Sequence, residues 1–267
     1  MSDYISRFGL EFNPFIKNSK EYIVETNDYK EVMFRLNYLL NNKGFGVITG
    51  SPGNGKTTMI RTWANGLNRS LYKVVYTALS TLTAQEFYRN LAIELDLEPA
   101  AKKSTNFKNI QEEINRYYLE KRITPVIIID EANCISNPVL NDMKMLFNFE
   151  MDSKDRAIIL LVGQTGLITT LNLAVNEPIR QRVIMNYNVD NLSKEEALTY
   201  IKGKLNGAKC TTEIFDTNAF EAIINAANGT PRIINKICNN CLIIANSKEK
   251  NIVDSDIAMM AVNESTL

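Results

Sequence analysis

Gly50-Ser51-Pro52-Gly53-Asn54-Gly55-Lys56-Thr57 matches GxxxxGK[ST] at every fixed position, and the residues on either side of it decide the fold. Val47-Ile48-Thr49 reads as a strand, and Thr57 to Leu67 has the apolar periodicity of a helix. A strand, a glycine-rich loop and a helix in that order make loop amides and a helix N-terminus converge on one anion. The stretch therefore predicts a polyphosphate site built from Gly50, Ser51, Pro52, Gly53, Asn54, Gly55, Lys56, Thr57 and Thr58. Lys56 is expected to reach the β- and γ-phosphates and Thr57 to hold Mg²⁺ through its hydroxyl, so ATP and Mg²⁺ are the expected cofactors.

Working outward, Lys73 to Thr77 reads as a second strand, followed by a helix to about Leu97 that Thr83 and Glu86 would cap reciprocally. A helical pattern around Ile110 to Glu120 precedes Pro125 and the strand Val126-Ile127-Ile128-Ile129, apolar on both faces as a buried parallel strand should be. Asn137 and Pro138 read as the cap and first position of a helix to about Glu150. Ile158 to Val162 and Val183 to Val189 supply two more strands. From Ser193 onward only helical signals remain: Ser193 with Glu196, Asp216 or Thr217, Gly229-Thr230-Pro231, and Asp254 or Ser255 each open a helix. The expected architecture is an α/β P-loop domain over residues 1–190, with a five-stranded parallel sheet sandwiched by helices. An entry segment covers 1–25, and a small all-helical lid follows at 191–267.

Asp130 and Glu131 end the third strand. A carboxylate at the C-terminal end of a parallel strand faces the same crevice as the phosphate loop, so Asp130 is expected in the Mg²⁺ shell and Glu131 beside the attacking water. The chain contains no histidine, which removes the commonest general base and leaves carboxylates and amides for that task.

Composition bounds the rest. The 267 residues are 45% hydrophobic and 22% charged, ordinary for a soluble globular chain with one large and one small domain. Thirty basic residues balance thirty acidic ones, so no global field draws the chain to nucleic acid. The longest aliphatic run, Ile158 to Val162, is too short to cross a bilayer, and Met1-Ser2-Asp3-Tyr4 does not open a secretory leader, so a cytoplasmic protein without a membrane partner is expected. Cys238 and Cys241 form a CxxC that reads as core packing. Lys102 and Lys103, in an apparent loop, and Lys108 are the local basic residues a phosphate backbone could meet.

Ile128-Ile129-Asp130-Glu131-Ala132, Leu146-Phe147-Asn148-Phe149-Glu150 and Leu161-Val162-Gly163-Gln164, with Phe8-Gly9-Leu10 and Asn13-Pro14-Phe15 near the start, resemble the ExeA-type branch of AAA+ ATPases. That branch includes general secretion pathway A proteins and is similar to transposition regulators of the TnsC, TniB and IstB kind. The resemblance implies that Gln164 is the sensor at the end of the fourth strand, with Thr165 as the alternative. It implies that Arg180 or Arg182, the latter slightly preferred, is an arginine finger directed at a neighbouring subunit, and that Arg232 in Gly229-Thr230-Pro231-Arg232 is the lid sensor. It also implies a homo-oligomer, a ring or a filament. Chain size favours a DNA-bound regulator that recruits a transposase, with double-stranded DNA and the transposase as partners; the alternative is a cytoplasmic ATPase for secretion or protein remodelling. A nucleotide switch with negligible turnover is a third reading.

Overall fold

The computed structural model describes residues 4–78 and 83–265. Its helices and strands run α1 (Tyr4–Arg7), α2 (Asn27–Asn42), β1 (Gly44–Gly50), α3 (Lys56–Gly66), β2 (Tyr72–Thr77), α4 (Ala84–Glu94), α5 (Lys103–Asn115), β3 (Thr124–Ile129), α6 (Asn137–Leu146), β4 (Ile158–Val162), α7 (Gly166–Leu171), α8 (Glu177–Arg180), β5 (Val183–Val189), α9 (Lys194–Gly207), α10 (Thr217–Ala227), α11 (Pro231–Ser247) and α12 (Ser255–Ser265). Contacts divide the chain into a larger unit, residues 29–52 and 56–189, and a smaller one, residues 4–28, 53–55 and 190–265.

The larger unit is a five-stranded sheet in the order β2-β3-β4-β1-β5, every pair parallel. Alternation along the strands builds two cores. Val47, Val75, Ile127, Ile129, Ile159 and Leu161 pack on the face covered by α4, α5 and α6. Ile48, Val126, Ile128, Leu160, Val162 and Met185 pack on the opposite face against Val32, Leu36 and Leu39 of α2 and Ile60 and Trp63 of α3. Burial of each such side chain contributes ~1.5–3 kcal/mol, which is why these strands are apolar on both faces. β4 lies between β1 and β3, so the end of β4 sits between the phosphate loop and the acidic strand end.

Local signals decide the helix ends. The Thr83–Glu86 and Ser193–Glu196 capping boxes both form, and Asp216 caps α10 by accepting from the Ala219 N–H at 2.6 Å. Asp254 similarly accepts from the Ile257 N–H at 3.0 Å at the start of α12. Three boundaries differ from expectation. The second-strand helix stops at Glu94, because Asp96 turns left-handed at φ +64°. α6 has Ser136, not Asn137, at its cap and ends at Leu146, after which Phe147 and Phe149 turn into the core. α5 begins at Lys103, so the basic residues taken as a loop are helical or at a helix cap.

In the smaller unit α9 to α12 share one core with Phe8, Leu10 and Phe15. The entry segment expected within the nucleotide domain thus packs with the helical unit: its three apolar side chains need burial, and the apolar positions of the sheet faces are already covered. Cys238 and Cys241 lie inside this core as free thiols, and burial raises both thiol pKa values, that of Cys241 to about 12. Among the described residues no helix is long and apolar enough to cross a membrane.

Candidate active site

The phosphate loop leaves β1 through glycines at positive φ: Gly50 at +153°, Gly53 at +90° and Gly55 at +87°. At Gly50 the requirement is also steric, since a Cβ would meet the Val189 carbonyl oxygen of β5 at 2.4 Å. Lys56 starts α3 nearly buried, and its Nζ donates to the Gly50 and Ser51 carbonyls at 2.8 and 2.9 Å. The ammonium is therefore held over the loop by the chain's own carbonyls, where a polyphosphate would meet it at little cost in side-chain ordering. Thr58 is partly buried and its carbonyl accepts from Thr62 Oγ1 at 2.9 Å.

β3 delivers Asp130 to the same place. Its N–H extends the sheet by donating to the Thr77 carbonyl at 2.8 Å, and its carboxylate is almost wholly buried. Oδ2 accepts from Thr57 Oγ1 at 2.8 Å and from the Tyr76 hydroxyl at 2.9 Å, while Oδ1 accepts from the Glu131 N–H at 2.9 Å. A hydroxyl and a carboxylate joined in this way at a helix N-terminus form a hard-oxygen pair of the kind Mg²⁺ takes, so Thr57 and Asp130 fit the metal expected of them. Burial, then the bond to Asp130, pushes the Tyr76 phenol up to about 12, so it stays protonated and remains a donor at neutral pH.

Glu131 follows in a left-handed conformation, φ 53° and ψ 35°, with an exposed side chain that makes no hydrogen bond or ion pair among the described residues. Asn133, two residues on, accepts from the Gln164 N–H at 2.8 Å through Oδ1. This approach depends on Gly163, where a Cβ would lie 2.7 Å from Asn133 Oδ1. Thus the expected sensor strand end is tied through its backbone to the acidic segment, with the Gln164 and Thr165 side chains both exposed and Thr165 directly preceding α7. Tyr76 and Asn133 had escaped the sequence reading: each looks like an ordinary strand or turn residue until the fold brings it to Asp130 or Gln164.

The two arginines differ. Arg182 is half-buried, and its guanidinium donates to the Lys144 and Phe147 carbonyls at 3.1 and 3.4 Å; burial lowers its pKa. Arg180 is exposed, and its guanidinium donates to the Asn172 carbonyl at 3.3 Å. The Arg182 guanidinium thus closes the end of α6, whereas that of Arg180 is left largely to solvent. The segment is anchored by buried Asn176, whose Nδ2 donates to Asn137 Oδ1 and to the Thr170 carbonyl, both at 2.8 Å. Within the smaller unit the Arg232 N–H donates to the Gly53 carbonyl at 3.2 Å and its side chain is exposed, while Asn54 Nδ2 donates to Asn191 Oδ1 at 3.0 Å. Of the basic residues a phosphate backbone could meet, Lys103 pairs with Asp142 and Lys108 with Glu112 at 3.6 Å, and Lys102 is exposed at the N-terminus of α5.

The model of the AAA domain matches residues 39–171, which contain the phosphate loop, Asp130 and Glu131. The protein is a P-loop ATPase of AAA fold. The phosphate loop, with Thr57 and Asp130, fits ATP with Mg²⁺ as the cofactor. The ATPase is 29% identical over 264 residues to general secretion pathway protein A of Aeromonas hydrophila, covering 97% of this chain and 48% of that one. It thus spans about half the length of that relative. Among solved structures it is similar to Cdc6p of Pyrobaculum aerophilum, with a TM-score of 0.73 at 14% identity over 94% of this chain and 70% of that one. It is also similar to the Aeropyrum pernix ORC1 protein in complex with DNA, with a TM-score of 0.69 at 12% identity over 95% and 70% of the two chains.

Proposed function

We propose that this ATPase is a self-assembling, ExeA-type cytoplasmic machine that uses ATP to build or remodel a protein assembly of the secretion kind. The observation that carries this reading is the likeness to general secretion pathway protein A along 97% of the chain. In the proposed cycle Lys56 compensates phosphate charge, Thr57 and Asp130 hold Mg²⁺, and Glu131 polarises the attacking water with Gln164 beside it. Arg180, or Arg182 if α6 yields it, reaches a neighbour's γ-phosphate, and Arg232 couples the nucleotide to the lid. The uncommitted Glu131 side chain and the exposure of Arg180 support those roles.

A finger in trans makes turnover depend on assembly, so specific activity should rise with protein concentration, and light scattering should show ATP-dependent oligomers at the same concentrations. Activity independent of concentration, with no assembly in ATP, would remove the oligomeric part of the reading.

A second reading, an oligomer that binds duplex DNA and regulates a transposase, is supported in its DNA-binding part by the similarity of the fold to the Aeropyrum pernix ORC1 protein in complex with DNA. The likeness to general secretion pathway protein A along 97% of the chain favours the secretion-type reading. Fluorescence anisotropy of a labelled duplex separates the two. Binding that is stronger with a non-hydrolysable ATP analogue than with ADP, and that weakens steeply with salt, supports DNA; no binding at low salt leaves the protein-remodelling reading.

A further inference from the structure

Asp130 is held more tightly than a metal-shell carboxylate between one hydroxyl and solvent would be. Three donors reach it among the described residues: Thr57 Oγ1 and the Tyr76 hydroxyl on Oδ2, at 2.8 and 2.9 Å, and the Glu131 N–H on Oδ1 at 2.9 Å. An ionised carboxylate offers about four lone-pair positions, so these contacts leave about one, on Oδ1. Two of the three donors are given by the loop helix and by the residue next to Asp130. The third comes from a different strand, and its placement has a physical cause. β2 pairs with β3 in parallel, with Tyr76 opposite Ile128 and Thr77 opposite Ile129, so the Tyr76 side chain leaves the sheet one step before the end of the acidic strand. Val75 and Thr77 are buried, whereas Tyr76 points to the other face, and β2 is an edge strand where a large ring has room beside α3. The residue remains 45% exposed, so it does not serve as core, and its hydroxyl is the part that makes a specific bond.

We propose that Tyr76 is a positioning residue for the metal site: its phenol O–H fixes Asp130 in the orientation that presents the remaining Oδ1 lone pair to the Mg²⁺ shell, and so sets how strongly Mg²⁺ strengthens nucleotide binding. A hydroxyl donates to Oδ2 whether the cation is present or not, so its effect is to pre-order the carboxylate. Without the Tyr76 hydroxyl, Asp130 is held by two donors, Thr57 on Oδ2 and the Glu131 N–H on Oδ1, in place of three; its terminal torsion has a wider range, and Mg²⁺ must narrow it on binding. This role concerns the ATPase site alone and is the same whatever the machine acts on.

Tyr76→Phe removes one oxygen and keeps the ring. The quantity to measure is the affinity of a fluorescent non-hydrolysable ATP analogue in saturating Mg²⁺ and in excess EDTA, with thermal unfolding of the same samples. Loss of one hydrogen bond to a charged, partly exposed pair corresponds to roughly a three- to tenfold effect. The ratio of the two affinities should fall by that factor, with the EDTA affinity and the unfolding temperature close to the parent's. The Mg²⁺ concentration for half-maximal hydrolysis should rise by a similar factor, with the rate at saturating Mg²⁺ largely recovered. Tyr38→Phe, an exposed tyrosine on α2, serves as the control and should change neither quantity. An unchanged ratio overturns the proposal. So does an equal loss with and without Mg²⁺, which would place the hydroxyl's contribution in the loop or the fold instead of the metal site.

Discussion

Replacing Glu131 by glutamine keeps the side chain's size and removes only its charge, so the change isolates what the carboxylate does for hydrolysis. The structure predicts little collateral effect. The Glu131 side chain is exposed and makes no hydrogen bond or ion pair among the described residues, and the bond to Asp130 Oδ1 uses its backbone N–H, which the substitution retains. Stability should thus stay within about 0.5 kcal/mol of the parent, as for a surface substitution away from any structural contact. Nucleotide affinity should stay within about twofold, since the phosphate contacts belong to the loop, Lys56 and Thr57. Turnover should fall by about 10²- to 10⁴-fold, the usual contribution of a positioned general base, or about 2.7–5.5 kcal/mol in the barrier. Phosphate release at saturating ATP, equilibrium binding of a labelled non-hydrolysable analogue and thermal unfolding give the three numbers. A Glu131→Gln protein that hydrolyses ATP at the parent rate refutes the assignment, and one that loses nucleotide binding in proportion to turnover refutes the division of labour. Glu131→Gly adds a check on the backbone. The left-handed geometry at φ 53° costs a non-glycine residue ~1–2 kcal/mol, which glycine avoids at a comparable loss of ~0.5–1 kcal/mol in chain entropy. This variant should therefore fold about as well as the parent while hydrolysing as poorly as the glutamine form.

Lys56→Ala should differ in kind, weakening ATP binding itself, because the substitution removes the one loop side chain that compensates phosphate charge; titration with the labelled analogue measures it. Arg182→Ala should lower stability by ~1–2 kcal/mol, since the Lys144 and Phe147 carbonyls lose a partly buried charged donor, whereas Arg180→Ala should leave chemical denaturation unchanged and reduce turnover in the assembled state. Mixing Arg180→Ala with Lys56→Ala, each impaired alone, should give more hydrolysis than the sum of the two; mixed oligomers that form without such a gain would count against a finger in trans. Alkylation at pH 8 should modify exposed Cys134 first, with Cys238 and Cys241 reacting only after unfolding, because raised pKa values keep both protonated well above that pH and the core excludes the reagent. Peptide mass mapping of native and unfolded samples reads this directly.

Local requirements are what the amino-acid sequence settles by itself here. Glycines at positive φ, the reciprocal caps at Thr83–Glu86 and Ser193–Glu196, and strands apolar on both faces all depend on neighbours within a few residues, so their order along the chain was legible, as was the pairing of a phosphate loop with Asp130. What depends on distant partners was not. An apolar Phe8, Leu10 and Phe15 announce burial without saying where, and only the assembled helices show that their core takes them. Charge at Lys103 or Arg182 announces a partner without naming it, and the fold answers with Asp142 and the carbonyls at the end of α6. The sheet order β2-β3-β4-β1-β5 brings Tyr76 and Thr57 to one oxygen of Asp130 and lays Asn133 against Gly163. A hydrogen bond between groups 54 or 73 residues apart has no periodicity to betray it, because its geometry is set by strand register and close packing, which exist only once the chain has folded.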